Sequence, residues 1–178
     1  MTAEHYQILR RWFDAHPAAR HSVLLLDRWL PLIPFVCYPV LLCLLNIHLV
    51  QLFLVWKHAA LDYMLLIARA ILVPGFTFWG GTFLRARLNF PRPYEQPGLT
   101  PLVAKESRGH SMPSRHALSA AVLAAVWLYF YPAAGCVMVG IALLICCLRV
   151  LTGVHHVRDV VCGFALGFAL GCAGMWLL

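Results

Sequence analysis

The sequence predicts an all-α integral-membrane protein, a bundle of about six transmembrane helices with an amphipathic interfacial helix at the N-terminus. Of the 178 residues, 62% are hydrophobic and only 12% are charged, whereas soluble domains carry about 25% charged residues. A soluble fold of this size exposes too much surface to keep so many apolar side chains from water. The apolar residues also form long segments that no linker divides, so one membrane-embedded domain is expected over residues 1–178.

Three apolar segments occupy the C-terminal half, at residues 117–131, 136–151 and 160–178. Each approaches the roughly 20 residues that a transmembrane helix needs, and Pro132 marks the turn between the first two. The third segment has a glycine at every fourth position. Glycines at this spacing share one helix face and let a neighbouring helix approach closely. We expect three of them to be packing positions: Gly163, Gly167 and Gly171.

The N-terminal half contains one strong apolar segment at residues 60–84 and a longer one at residues 29–56. The longer segment exceeds one untilted helix and is short for two. A tight helical hairpin is favoured over a single helix, which gives six membrane helices in total. The only polar residues in this longer segment are Asn46, His48 and Gln51.

Residues 6–12 precede both apolar segments and are typical of an interfacial amphipathic helix.

The positions of the basic residues and of the cysteines indicate which kinds of molecule the protein binds. The net charge is +7, and the basic residues cluster at the ends of apolar segments, which indicates membrane phosphate groups rather than nucleic acid. All seven cysteines lie within apolar segments without a Cys-x-x-Cys pair, which favours packing over metal binding or disulfides. Residues 85–115 form the one long polar stretch, and it is strongly basic. Function is therefore expected there.

Three polar clusters carry the candidate chemistry. The first is Arg85 with Arg92-Pro93, the second is Pro113-Ser114-Arg115-His116, and the third is Arg149, His155 and Asp159. Arginine offers a planar fork of donors that stays charged at any relevant pH. Arginines that converge from separate clusters would neutralise a phosphate dianion and its transition state.

The spacing of the third cluster predicts an oriented imidazole. His155 and Asp159 are four residues apart, so on a helix the carboxylate can hold one imidazole nitrogen. The other nitrogen is then free to attack. His116 is placed to protonate a leaving oxygen, and Ser114 with nearby backbone amides to bind phosphate oxygens. An antiparallel helix order brings the three clusters to one membrane face and puts Pro132 at the other.

These clusters resemble the three signature motifs of the type 2 phosphatidic acid phosphatase superfamily, in order and in internal spacing, over residues 85–159. The resemblance implies that His155 forms a phosphohistidine, that Asp159 orients it, and that His116 is the general acid and later activates water. No metal or other cofactor is implied. The implied phosphate-binding residues are Arg85, Arg92, Ser114, Arg115 and Arg149.

The match departs from the family pattern at three positions. Arg85 stands where the family usually has lysine, which keeps the charge but changes its reach. Arg115 replaces a common glycine, as in short bacterial members, and adds a candidate phosphate contact. Leu148 replaces the serine that commonly precedes the third-motif arginine, so that contact is expected to be missing.

The resemblance implies hydrolysis of a lipid phosphate or diphosphate, with undecaprenyl diphosphate as the first candidate substrate. Phosphatidylglycerophosphate and phosphatidate are alternatives. A lipid phosphotransferase and a non-catalytic protein that binds lipid phosphate remain open as well. A soluble haloperoxidase-like protein with the same motifs is excluded by the hydropathy. The sequence does not indicate an oligomeric state.

The membrane side is predicted from two opposing observations. Relatives with this motif set mostly face outward, which implies a plasma-membrane protein with an extracytoplasmic active site. A positive-inside count gives the cytoplasm instead, because the catalytic face carries more cations. The resemblance is followed, since bound phosphate accounts for these charges. Several cations nearby are interpreted as interfacial anchors, and His110 as a loop residue; the anchors are Arg87, Arg108 and Arg158.

Overall fold

The computed structural model describes residues 3–178 and contains only helices and loops over that range. The all-α class is therefore confirmed. A single turn of 3-10 helix, Pro93–Glu95, lies in the loop between the fourth and fifth α-helices. The α-helices are α1 (Ala3–Ala15), α2 (Pro17–Trp29), α3 (Leu32–Val55), α4 (Lys57–Leu88), α5 (Arg115–Phe130), α6 (Pro132–Leu151) and α7 (Val157–Trp176).

Four segments of the described chain are long and apolar enough to cross a membrane: Pro17–Val55, His58–Glu95, Pro132–Leu151 and Val157–Trp176. The first segment contains both α2 and α3, and the second contains α4 without its first residue. The last two are α6 and α7, and α5 is a shorter apolar helix. The protein is therefore a membrane protein with four candidate spans, fewer than the expected six helices.

The hairpin expected within residues 29–56 is wrong. α3 is one helix of 24 residues, which at 1.5 Å per residue is about 36 Å long and crosses a hydrocarbon core of about 30 Å with some tilt. The side-chain amide of Asn46 donates to the carbonyl of Leu42, 2.8 Å away and one turn earlier. This bond satisfies the amide inside the helix, so the polar residue does not mark a turn.

α1 is held against the protein by its aromatic face. Tyr6 and Phe13 are only 1% and 4% exposed, and the Tyr6 hydroxyl accepts a hydrogen bond from the backbone N–H of Leu102 at 3.2 Å. Arg10 adds a bond from its guanidinium to the carbonyl of Thr100, at 2.6 Å. A helix thus lies at the predicted N-terminal position, and part of its apolar face packs against the polar loop.

α5 is the central helix of the bundle. Every residue from 117 to 127 is buried, and α5 makes its most extensive contacts with α7 and α6. The glycine face of α7 allows this approach: a Cβ at Gly163 would lie 2.6 Å from the carbonyl oxygen of Ser114, and one at Gly171 would lie 2.6 Å from Ala125. A Cβ at Gly167 would meet the backbone of Leu118. The predicted role of these glycines in packing is confirmed.

The main apolar core lies in the half of the bundle away from the polar loop. It joins α3, α4, α5 and α7, and the Tyr38 hydroxyl adds a 2.7 Å hydrogen bond to the carbonyl of Ala70 across α3 and α4. All seven cysteines are free. This core fixes the helices at one end and leaves the other end for polar groups; its buried members are Leu41, Leu45, Ile67, Ala70, Val126, Trp127 and Met175.

Candidate active site

The three motifs meet at one end of the bundle. α4 ends there, α5 and α7 begin there, and α6 ends there, as the antiparallel order predicts. The backbone N–H of Ser114 donates to the carbonyl of Asp159 at 2.9 Å, which joins the second motif directly to the third. The turn at Pro132 lies at the opposite end of α5.

His155 sits in the short turn between α6 and α7. The backbone N–H groups of Val154 and His155 both donate to the carbonyl of Arg149, at 3.2 and 3.1 Å. Gly153 makes this turn with φ at +73°, a conformation that costs glycine little. The imidazole is 4% exposed, and its Nδ1 lies 3.7 Å from Oδ2 of Asp159. Nε2 is therefore the nitrogen left for chemistry.

Ser111 contacts both His155 and Asp159, and the sequence pattern did not predict this residue as part of the site. Its hydroxyl donates to Oδ2 of Asp159 at 2.5 Å and lies 3.4 Å from Nδ1 of His155. The backbone N–H of His156 donates to the same Oδ2 at 2.9 Å. Ser111 is fully buried. Its only sequence signal was a hydroxyl two residues before the second motif.

The environment of His155 favours its neutral form. Burial lowers the pKa of the imidazole below its ordinary value, against the opposing effect of Asp159. The charges of Arg92 and Arg85 act in the same direction as burial. Because a neutral imidazole has a free lone pair, this environment suits a nucleophile.

The three motif arginines are buried, with exposures of 7% for Arg85, 8% for Arg92 and 6% for Arg149. Among the described side chains, no carboxylate pairs with Arg85 or Arg92. Buried cations need a compensating anion, so these two guanidinium groups suit a phosphate. They line a cavity of about 330 Å³, together with Thr82, Ala86, Ser107, Arg108, His110 and Arg115.

Two of these lining residues had been assigned other roles from the sequence. Arg108 was interpreted as an interfacial anchor and His110 as a loop residue, and both face the cavity. His110 is held there because its backbone N–H donates to Oδ1 of Asn89 at 3.2 Å. Its Nδ1 also lies 3.3 Å from the carbonyl oxygen of Arg85. Arg158 is exposed, 3.5 Å from Oδ1 of Asp159.

The start of α5 supplies the remaining candidates. His116 is half-buried in its first turn, at the same end of the bundle as Arg149 and His155. Ser114 is fully buried, and its hydroxyl has no hydrogen-bond partner among the described residues. A free hydroxyl at a helix N-terminus suits an oxyanion. Within residues 3–178, no group of His, Cys, Asp or Glu is arranged to hold a metal ion.

Fold and site together define a helical membrane protein with a cationic centre around an imidazole and a carboxylate. The model of the PAP2 superfamily matches residues 59–178, more than half of the chain. The chain therefore belongs to the PAP2 superfamily. No curated protein matches it. The α1–α2 pair and α3 lie before the matched residues.

Two solved structures are similar over nearly the whole chain. The crystal structure of LpxE from Aquifex aeolicus is 21% identical, with a TM-score of 0.63 over 94% of this chain and 92% of that chain. A PAP2-type phosphatidylglycerolphosphate phosphatase from Bacillus subtilis is 25% identical, with a TM-score of 0.51 over 96% of this chain and 90% of that chain. The first similarity is one of fold.

Proposed function

We propose that the protein is a membrane lipid phosphatase that acts through a phosphohistidine on His155. One observation carries the proposal: a buried imidazole, backed on Nδ1 by Asp159 and Ser111, lies at the same end of the bundle as the buried motif arginines. Two of these arginines, Arg85 and Arg92, have no carboxylate partner among the described side chains. Membership of the PAP2 superfamily supports this chemistry. The similarity to a phosphatidylglycerolphosphate phosphatase supports a lipid phosphate as the substrate class.

In the proposed first step, Nε2 of neutral His155 attacks phosphorus, and the bond from phosphorus to the lipid oxygen breaks. In this scheme the negative charge of the bound phosphate favours the protonated form of His116. His116 then gives its proton to that oxygen, so the lipid leaves as a neutral alcohol or a shorter phosphate. The guanidinium groups of Arg85, Arg92 and Arg149 stabilise the charge on the equatorial oxygens. Asp159 stabilises the positive charge that develops on the imidazole.

In the second step, water attacks the phosphohistidine and gives a proton to His116, which is now neutral. The bond from phosphorus to Nε2 breaks, inorganic phosphate leaves, and His155 returns to its neutral form. Both protons are thus accounted for by one residue that acts first as acid and then as base. The Ser114 hydroxyl and the exposed guanidinium of Arg115 are the further phosphate ligands in this scheme.

Undecaprenyl diphosphate is the proposed substrate, with phosphatidylglycerophosphate and phosphatidate as alternatives. The similarity to the Bacillus enzyme favours phosphatidylglycerophosphate as the second candidate. Release of inorganic phosphate from each lipid by the purified protein in detergent ranks the three by kcat/KM. The highest value for another lipid would replace the proposed substrate. Transfer of labelled phosphate to a lipid or sugar acceptor would show a phosphotransferase instead.

Replacement of the nucleophile tests the mechanism directly. His155→Ala is expected to lower kcat by at least about a thousandfold, since the covalent route is lost. His21→Ala, at an exposed position on α2, is the matched control and should keep full activity. Full phosphate release by His155→Ala would show that the mechanism is wrong. Absence of phosphate release by the wild-type protein from every lipid would favour a non-catalytic protein.

The proposed location is the plasma membrane, with the active site on the extracytoplasmic face and residues 1–178 as one domain. An interfacial position is proposed for α1. Its Ile8 and Trp12 side chains are exposed beside the basic Arg11, as expected for a helix at the headgroup level.

A further inference from the structure

Arg149 contacts an acidic residue outside the family-matched segment. Asp27 on α2 is 6% exposed, as is Arg149 on α6. Oδ1 of Asp27 lies 3.5 Å from Nε of Arg149, and the backbone carbonyl of Asp27 accepts a 3.4 Å hydrogen bond from the same guanidinium. Two oxygens of one residue thus face the third-motif arginine from a helix that precedes all three motifs.

This contact is too loose to be explained by stability alone. Charge-assisted hydrogen bonds are about 2.7–2.9 Å long, and neither Asp27 Oδ1 nor Arg149 Nε has a hydrogen-bond partner among the described residues. A buried ion pair also contributes little net stability over an apolar pair of similar volume. Asp27 contacts only one edge of the guanidinium, so the other donors of Arg149 stay available.

The surrounding charges give the pair a role in the site. Arg85, Arg92 and Arg149 are three buried cations, and Asp159 is already engaged by Ser111. Asp27 is the second buried carboxylate, so it reduces the repulsion among the guanidinium groups before phosphate arrives. The carbonyl of Arg149 also holds the backbone of His155, which ties the position of the arginine to that of the nucleophile.

We propose that Asp27 is a positioning residue for Arg149: it orients the guanidinium toward the transferring phosphoryl group and moderates its charge in the empty site. The proposal rests on the proposed phosphatase function. It makes α2 part of the catalytic centre, although the family match begins at residue 59.

The test compares two replacements of Asp27 with a control on the preceding helix. Asp27→Asn should lower kcat about tenfold, because Arg149 loses its alignment. It should also tighten inhibition by inorganic phosphate severalfold, because a negative charge near the anion is removed. Asp27→Glu keeps the charge, so phosphate inhibition should stay at the wild-type value while kcat falls. Asp14→Asn removes an exposed carboxylate that pairs with Arg20 at 3.2 Å and should change neither value.

A double-mutant cycle separates positioning from packing. In an Arg149→Ala background, Asp27→Asn should have no further effect on kcat, since the two residues act as one unit. Additive effects would overturn the proposal, and so would wild-type kcat and phosphate inhibition in folded Asp27→Asn. If Asp27→Asn does not fold, wild-type kcat in Asp27→Glu overturns it.

Failure of the proposed function is recognised separately, as a wild-type protein that releases phosphate from none of the lipids. Binding of inorganic phosphate, measured by calorimetry, then still tests Asp27. Tighter binding to Asp27→Asn than to wild type supports the proposal, and equal binding overturns it.

Discussion

Ser111 links the two groups on which the proposed chemistry depends, because its hydroxyl contacts both Asp159 and His155. Ser111→Ala removes a short hydrogen bond to a buried carboxylate. The expected result is a fall in kcat of about 10–100-fold, with a smaller change in KM. Ser119→Ala is the control, since that buried hydroxyl bonds only the carbonyl of Arg115 in its own helix. Wild-type kcat in Ser111→Ala would remove Ser111 from the orienting group.

The pH dependence follows from the state of His155. Its neutral form is the proposed nucleophile, and burial lowers its pKa below the ordinary 6.5. The acid limb of kcat/KM should therefore lie below pH 6.5 and activity should persist into mild acid. The pH profile of kcat/KM is measured with two substrates whose phosphate groups differ in pKa. An acid limb at the same pH with both substrates comes from a group on the protein, whereas a limb that moves comes from the substrate. An acid limb above pH 6.5 with both substrates would contradict the expectation.

The same shift has a consequence for stability. Below about pH 6.5 the unfolded chain binds a proton at His155 more readily than the folded protein does. The free energy of unfolding should therefore fall as the pH drops through that range, and His155→Gln should reduce this dependence. The free energy of unfolding falls, rather than rises, because the pKa of His155 is lower in the folded protein than in the unfolded chain.

The candidate residues that the sequence predicted differ from those that it did not in how far away their partners lie along the chain. His155 and Asp159 were predictable because helical spacing places them together. Ser111 and Asp27 were not, because they act on partners 48 and 122 residues away along the chain. A hydroxyl in a loop and an acid in an apolar segment carry no spacing signal of their own. Only the folded arrangement shows what they contact.

At the scale of elements, the contact between α5 and α7 sets the position of the site. Gly163→Ala would push a methyl group against the backbone of Ser114, at the start of α5. Such overpacking is expected to cost about 1–3 kcal/mol and to lower both the melting temperature and kcat. Gly140→Ala on α6 is the control, because a Cβ there meets nothing within 4 Å. Equal melting temperatures for the two variants would show that α7 can move away.

Helix boundaries were less predictable than helix faces. The glycine repeat of α7 predicted its packing side, because the four-residue spacing places the glycines on one face and their small size lets another helix approach that face. The number of helices within residues 29–56 was predicted wrongly, because the length of this apolar segment lies between that of one untilted helix and that of two. In the structure, Asn46 continues the single helix, since its amide bonds the carbonyl of Leu42. Apolar length alone does not decide between one tilted helix and two short ones.

At the scale of the whole molecule, the proposed orientation predicts which side of the membrane releases phosphate. Right-side-out vesicles should hydrolyse an added short-chain lipid phosphate, because the catalytic face is proposed to be extracytoplasmic. Inside-out vesicles should do so only after detergent opens them. The reverse pattern would place the site in the cytoplasm, as the positive-inside count suggests. Vesicles that contain His155→Ala provide the background rate.

The burial of residues 117–127 of α5 constrains how a cell makes this protein. Chains are synthesised from the N-terminus, so α5 is made before α7, the helix with which it has its most extensive contacts. Until synthesis passes residue 176, the small side chains of α5 that pack against α7 lack that partner. Ribosomes that stop early would thus leave an incompletely packed product, which cellular proteases are expected to remove. The proposed active site, to which α7 contributes Asp159, can therefore assemble only after α7 has been made.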